Sequence, residues 1–487
     1  MKIQDIVKDS AQIEKLNLEL PKFDRAQAKS SIVHIGVGRF HRAHQAVYIQ
    51  DLMNAGATDW GITGVCLMPQ DQFIVDKFKE QDYLYTLIEQ GQKSSTVKVI
   101  GSILNIIPGY ETPDAVIDTI ASEQTKIVTL TVTEAGYFYF PSTLGLQWSH
   151  PAIAHDMTQP ASPKTVYGFL LAALKLRRDQ NLPLTIQSCD NIQGNGDLFK
   201  ALTRSFVEKV EPALLEWFDK NVSFPNAMVD RITPAMSQHE RDTFAGLGIE
   251  DPLGIIAEPF RQWVLEDEFV NEHPDYASVG VQMTDSVKPY EHMKVRLLNA
   301  GHSSIGYLGH LAGINTIHGI VETPIMAQFL ASFLKDAGLT VPAPAGINLD
   351  EYKGVLVERF GNPTLADQTL RICKDGAAKI PGFLLPSLEE LIADGETKAT
   401  ESFALVLAAW FVFVKNIVEA DEQLDDAEAE TVARLCLASE GKASLFYQDT
   451  ALFGKLGMNV EFMATIDKWA EELKAKPALD VVAAFLG

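Results

Sequence analysis

Ser31-Ile32-Val33-His34-Ile35-Gly36-Val37-Gly38-Arg39-Phe40-His41-Arg42-Ala43-His44 decides the reading of this chain. An apolar run of strand length ends on two glycines, and a helix predicted to reach about Asn54 opens directly after them. Gly61-Ile62-Thr63-Gly64-Val65-Cys66-Leu67 then supplies a second strand-like run. Strand, glycine turn, helix and strand is the order with which a dinucleotide-binding unit begins. The glycines permit the tight turn and let backbone N–H groups approach a pyrophosphate at the helix N-terminus. The spacing departs from GxGxxG at its third position, His41, so an ordinary tight turn reads equally well from these residues alone. His41 and His44 have no third ligand spaced with them, which favours plain polar contacts over a metal site.

Downstream, apolar β-branched runs recur at Val97–Ile100 and Ile127–Val132, with helical sequence at Ala115–Ala121 between them. The second run leads into Thr131-Val132-Thr133-Glu134, polar residues at the carboxyl end of a strand, where open α/β sheets bind ligands. Lys164 to Arg178 reads as an amphipathic helix and Leu184–Ser188 as a further strand. Asn191 follows just beyond, and by itself reads as a turn residue. Asp230 and Arg231, between two proline breaks, read as a pair. Val281–Val287 is the last strand-like run. Helical periodicity then takes over at 291–312, 322–337, 349–359, 364–374, 384–393, 398–418, 426–439 and 459–474. The change marks a boundary near residue 286: an α/β domain over 1–286, and a mostly α-helical domain over 287–487. A chain of 487 residues exceeds what one core serves, which agrees with two domains.

Tyr290 to Ser303 opens the helical half. At ~100° per residue, with Lys294 as zero, Glu291 falls near ~60°, His302 near ~80° and Asn299 near ~140°, while Arg296 points away near ~200°. Such polar groups on a largely apolar helix are costly to bury without a task. The periodicity alone fits a hydrogen-bonded seam better than a catalytic set.

The net charge of -23 disfavours nucleic acid and anionic membranes as partners. The four cysteines are widely separated and predict reduced thiols, and the N-terminus has no apolar signal core; a cytoplasmic protein is expected. Phe403–Val414 is shorter than the ~20 residues of a membrane span and predicts a buried core helix.

Gly36-Val-Gly-Arg-Phe-His-Arg-Ala-His44, Thr131-Val-Thr-Glu134, Ser188-Cys-Asp-Asn191, Phe224 to Pro234, Glu258 to Val264, Lys294 to His302, Glu358 to Asn362 and Asp375 to Pro381 form an ordered series. In that series the chain resembles the polyol-specific long-chain dehydrogenases, a family that carries histidine at the position of His41. The resemblance implies a Rossmann-type N-terminal domain, a helical C-terminal domain, a monomer, and metal-free interconversion of a polyol and a ketose. It implies D-mannitol and D-fructose as the pair, with arabinitol, fructuronate or tagaturonate as the alternative. By matching position it makes Lys294 the general acid/base, Asn191 and Asn299 the holders of the reacting oxygen, and Glu291 the proton relay. His302, Asp230, Arg371 and Lys379 are implied to bind substrate. Gly36, Val37, Gly38, Arg39, Phe40, His41, Thr133, Glu134, Val229 and Asp230 are implied to hold the cofactor.

A lysine titrates ordinarily near ~10.4, so a base at neutral pH calls for burial or cations such as Arg371 and Lys379 beside it. The second strand ends in Leu67-Met68-Pro69-Gln70-Asp71, with a late acid and no nearby lysine or arginine to meet a 2′-phosphate. NAD is the expected cofactor, and NADP the alternative.

Overall fold

The computed structural model describes residues 1–140 and 143–487, which divide into two compact units, Met1–Lys288 and Pro289–Gly487. In the first, six strands form one sheet: β1 (Ser30–Ile35), β2 (Gly61–Cys66), β3 (Ile103–Pro108), β4 (Ile127–Leu130), β5 (Leu184–Ser188) and β6 (Val222–Ser223). Their spatial order is β3-β2-β1-β4-β5-β6, and every neighbouring pair is parallel. This is the Rossmann order, in which the chain reverses its direction of winding between β1 and β4. Strand chemistry explains the burial. Val33 and Ile35 of β1 face one apolar layer and Ile32 the other, so both faces are covered and the run is apolar throughout.

Val97–Ile100 does not supply the third strand of this sheet. It lies in Ser95–Ile100, antiparallel to Tyr85–Gln90 in a separate four-stranded sheet. Gly101 and Ser102 interrupt the run, and the chain re-enters the parallel sheet as β3. The helix after the glycines is also not continuous. It breaks into Arg39–Ala43 and Gln45–Asn54 at His44, whose Nε2–H donates to the Gln262 carbonyl at 2.8 Å while Nδ1 accepts from Gln45. A third sheet pairs Ala227–Asp230 antiparallel with Gln262–Glu266, which runs parallel to Gln282–Thr284.

The second unit is helical, built around Thr397–Glu419, whose apolar side chains are buried against Ala300–Leu311 and Val460–Ala475. At 23 residues this helix is longer than its apolar run suggested, and by length and composition alone it could cross a membrane. Two segments are π-helical, Lys294–Asn299 and Ile380–Leu384, and they pack against each other. The predicted helix 364–374 is interrupted where Ala366 takes φ +47°, leaving Thr369–Cys373.

Candidate active site

The carboxyl ends of β1, β2 and β4 open onto a cavity of about 260 Å³. Gly36, Val37 and Gly38 form one wall, Leu67, Met68 and Asp71 a second, and Thr131, Val132 and Thr133 a third. It adjoins a larger space of about 800 Å³ over the ends of β2 and β3, which shares Leu67, Met68, Val132, Thr133 and Lys164 with it.

Local chemistry forces the glycine turn. Gly36 sits at φ +93°, and a Cβ there would lie 2.3 Å from the Thr131 carbonyl oxygen, so no side chain fits. Thr131 Oγ1 donates to the Gly36 carbonyl at 2.8 Å. Beneath the turn, His34 Nδ1 accepts from Thr129 Oγ1 at 2.7 Å and Nε2–H donates to the Gly36 carbonyl at 3.0 Å. Burial pushes His34 down to about 3, so the ring is neutral and holds this tautomer. His41 stacks on it with ring centres 3.3 Å apart, itself fully buried and, chiefly through that burial, held well below the ordinary histidine range. Its ring therefore supports the turn from below. At Gly38 the added Cβ would meet nothing closer than 3.9 Å, which leaves backbone open at the N-terminus of Arg39–Ala43. A close-packed turn leading into a helix and a cleft at the switch point fit a dinucleotide.

Arg39, Phe40, His41, Glu134, Val229 and Asp230, also assigned to the cofactor, are not among the residues that line this cavity. Arg39 pairs with Glu240 at 2.7 Å and donates to the Pro234 carbonyl, and Phe40 stacks on His44. Glu134 is exposed in the turn Glu134–Tyr137, whereas Val229 and Asp230 are buried on the third sheet. Arg231 takes Glu89 as an ion-pair partner. Its guanidinium is wholly buried on Glu89 at 2.6 Å and donates to the carbonyls of Ala43 and Glu258. Asn191 is exposed just past β5.

Two charged residues that the sequence did not assign to the cofactor line the cavity. Asp71, which arrives five positions after β2, still lines the wall, and burial pushes its carboxyl up. Lys164 lines both cavities, so a lysine does reach this region, from the connection before the helix Val166–Gln180. No local pattern links position 164 to position 67; the strand order brings them together.

In the second unit Glu291, Lys294 and His302 are buried and Asn299 half-buried. The π-turn corrects the helical wheel. An α-helix would set Lys294 and Asn299 ~140° apart, whereas a π-turn, with its i→i+5 bonding, returns residue i+5 close to the face of residue i. His302 stacks on Phe360 at 3.8 Å. Arg296 points away into a two-pronged pair with Glu390, both bonds 2.7 Å. The helix holding His302 packs on Thr369–Cys373, which carries Arg371, and Lys379 immediately precedes the second π-turn. Arg371 is held by Asp367 through two bonds, and Lys379 Nζ donates to the Ile372 carbonyl at 3.1 Å. Burial lowers Lys379; Asp375 opposes that shift and Arg371 adds to it. Arg371 thus lies on a helix packed against the one holding His302, and Lys379 borders the π-turn packed against Lys294–Asn299. All four cysteines are free thiols.

Two family models cover most of the chain: a mannitol dehydrogenase Rossmann domain over residues 30–278, and a mannitol dehydrogenase C-terminal domain over residues 286–474. Mannitol 2-dehydrogenase of Neosartorya fischeri is 43% identical over 419 residues, covering 84% of this chain and 83% of its own. Its counterpart in Aspergillus oryzae is 39% identical over 470 residues, 94% and 93%. Among solved structures, Pseudomonas fluorescens mannitol 2-dehydrogenase in ternary complex with NAD and D-mannitol superposes with a TM-score of 0.87 at 38% identity, covering 100% of this chain and 99% of that one. A substrate-free D-sorbitol dehydrogenase follows with a TM-score of 0.86 at 30% identity, covering 96% and 97%.

Proposed function

The chain belongs to the mannitol dehydrogenase family, and from that premise we propose that it interconverts D-mannitol and D-fructose with Lys294 as general acid/base. It is an NAD-dependent secondary-alcohol dehydrogenase acting on a polyol. The observation that carries the finer reading is the end-to-end similarity to the Pseudomonas fluorescens enzyme, whose structure holds NAD and D-mannitol.

Gly36, Val37, Gly38 and Thr133 would hold the dinucleotide, which when bound accepts the hydride from the alcohol carbon. The protein's share is proton transfer and charge. In this reading Lys294 takes the hydroxyl proton in oxidation and returns it in reduction. Asn299, wound onto the face of Lys294 by the π-turn, donates an amide N–H to the oxygen as its negative charge grows, and Asn191 supplies a second such donor. Glu291, one turn before Lys294, passes the proton onward. His302, Arg371, Lys379 and Asp230 meet the remaining hydroxyls. The same reading takes the enzyme to be a cytoplasmic monomer.

The deciding experiment is a kcat/KM panel: D-mannitol, D-sorbitol and D-arabinitol with NAD and NADP, and D-fructose, D-xylulose, fructuronate and tagaturonate with NADH and NADPH. D-Mannitol and D-fructose should lead with NAD and NADH. A clear preference for either uronate, or for another polyol, would overturn the assignment.

A further inference from the structure

We propose that Asp190 is a positioning residue, its buried carboxylate tying the cofactor wall at the end of β4 to the Asn191 amide at the end of β5. The proposal rests on the reading of Asn191 as a holder of the reacting oxygen.

β4 and β5 are parallel neighbours, paired as far as Leu130 and Ser188, and one further bond runs from the Cys189 N–H to the Leu130 carbonyl at 2.9 Å. Beyond that point the Asp190 side chain continues the ladder. Oδ1 accepts from the Thr133 N–H at 2.8 Å and Oδ2 from the Val132 N–H at 3.1 Å. Tyr137 donates its hydroxyl to Oδ2 at 3.0 Å and, its one proton so used, accepts from Ser188 Oγ at 2.5 Å. Ser188 Oγ in turn accepts from the Asp190 N–H at 3.2 Å. A carboxylate only 7% exposed is thereby filled by three donors.

This clamp holds something that would not hold itself. Thr133 stands at φ +60° and ψ 170°, a strained conformation that a β-branched residue rarely adopts. Thr133 lines both cavities. On the other side, the Asp190 carbonyl accepts from Asn195 Nδ2 at 3.0 Å. The buried Asn195 amide also exchanges two bonds with Ala227, where the strand bearing Val229 and Asp230 begins. Asn191 thus follows a residue fixed through its side chain to β4 and through its carbonyl to Asn195.

The clamp is sensitive to pH. Burial, the largest influence, pushes Asp190 up to about 6; the bonds from Thr133, Val132 and Tyr137 pull it down, and the charge of Glu134 pushes it up again. Of its other neighbours, Tyr137 and Cys189 are themselves held in their neutral forms by burial. Oδ1 carries one bond and Oδ2 two, so a proton on Asp190 goes to Oδ1 at least cost, sets a hydroxyl against the Thr133 N–H and weakens the bond that holds Thr133.

The test uses the full-length enzyme and two readouts between pH 5 and 8: the Kd of NAD and kcat/KM for the preferred polyol. In the wild type both should worsen about tenfold as pH falls through 6. Asp190→Asn should show weakened NAD binding at every pH with that acidic limb gone. Tyr137→Phe, which removes one donor and keeps the ring, should move the limb to higher pH. It carries the test if the Asp190 variant does not fold. An NAD Kd and limb unchanged in the variants would overturn the proposal. Asn191→Ala separates the two readings: it should lower kcat while the NAD limb persists. An unchanged kcat there would remove Asn191 from the reaction, and the link from the clamp to the reacting oxygen with it.

Discussion

Lys294 and Asn299 stand at the two ends of one π-helical turn, five residues apart and on neighbouring faces, where an α-helix would have pointed them in different directions. In the proposed reading, that winding would let Lys294 as base and Asn299 as amide donor reach one oxygen. Lys294→Ala should abolish turnover and leave NAD affinity nearly intact, and Asn299→Ala should cost about 10²–10³ in kcat. Steady-state rates with a separate NAD titration check both. Turnover surviving in Lys294→Ala would refute the base.

Gly36 and Gly38 should separate under substitution. Gly36→Ala drives a Cβ into the Thr131 carbonyl and holds alanine at positive φ, so a loss of about 2 kcal/mol or more is expected together with weak NAD binding. Gly38→Ala has room and an extended backbone at φ -79°, so it should fold normally and lose affinity only. Urea unfolding and NAD titration of both variants provide the comparison; equal stability losses would contradict the geometry.

Cofactor choice should follow Asp71. Asp71 lines the cavity at the end of β2, where its carboxylate would oppose a 2′-phosphate, while Lys164 lines the same cavity. Asp71→Ala should raise the NADP to NAD ratio of kcat/KM about tenfold, equivalent to ~1.4 kcal/mol. Lys164→Met in that background should reverse part of the gain. If the ratio stays fixed in Asp71→Ala, this carboxylate does not set the preference.

The buried histidines should make the fold acid-sensitive. His34 and His44 are depressed to about 3, mainly by burial, whereas an unfolded histidine titrates near ~6.5. A folded value below the unfolded one gives stability that is present above pH ~6.5 and is lost as pH falls toward 3. Each ring contributes a loss of ~1.4 kcal/mol per pH unit in that window. Denaturant unfolding at pH 7.5 and 5 should show the decline, and imidazole proton shifts should remain those of neutral rings at pH 5. Rings that titrate near 6.5 in the folded protein would exclude the mechanism.

Local pattern carried a large part of this molecule. The apolar run into Gly36 and Gly38 signalled a buried strand and a tight turn, because burial on both faces demands continuous apolar sequence and a close backbone approach demands glycine. The loss of strand-like runs after Val287 signalled a helical second half, since the period of burial is written into the chain. Periodicity could not reveal the π-turn at Lys294–Asn299, because a single i→i+5 turn is too short to alter the apolar period of the helix around it. Similarly, Val97–Ile100 had the composition of a core strand, and only pairing with Tyr85–Gln90 decided which sheet it joined.

By itself, then, the sequence determined the opening strand, glycine turn and second strand, the passage to a helical second half, and the residues whose ordered series marks the family. Tertiary structure decided the strand order β3-β2-β1-β4-β5-β6, the convergence of Asp71 and Lys164 on one cavity, the burial of Arg231 on Glu89, and the Asp190 clamp. Each of these joins groups far apart along the chain or set on different strands. Such contacts are fixed by strand register and packing, to which neither local preference nor spacing along the chain is sensitive.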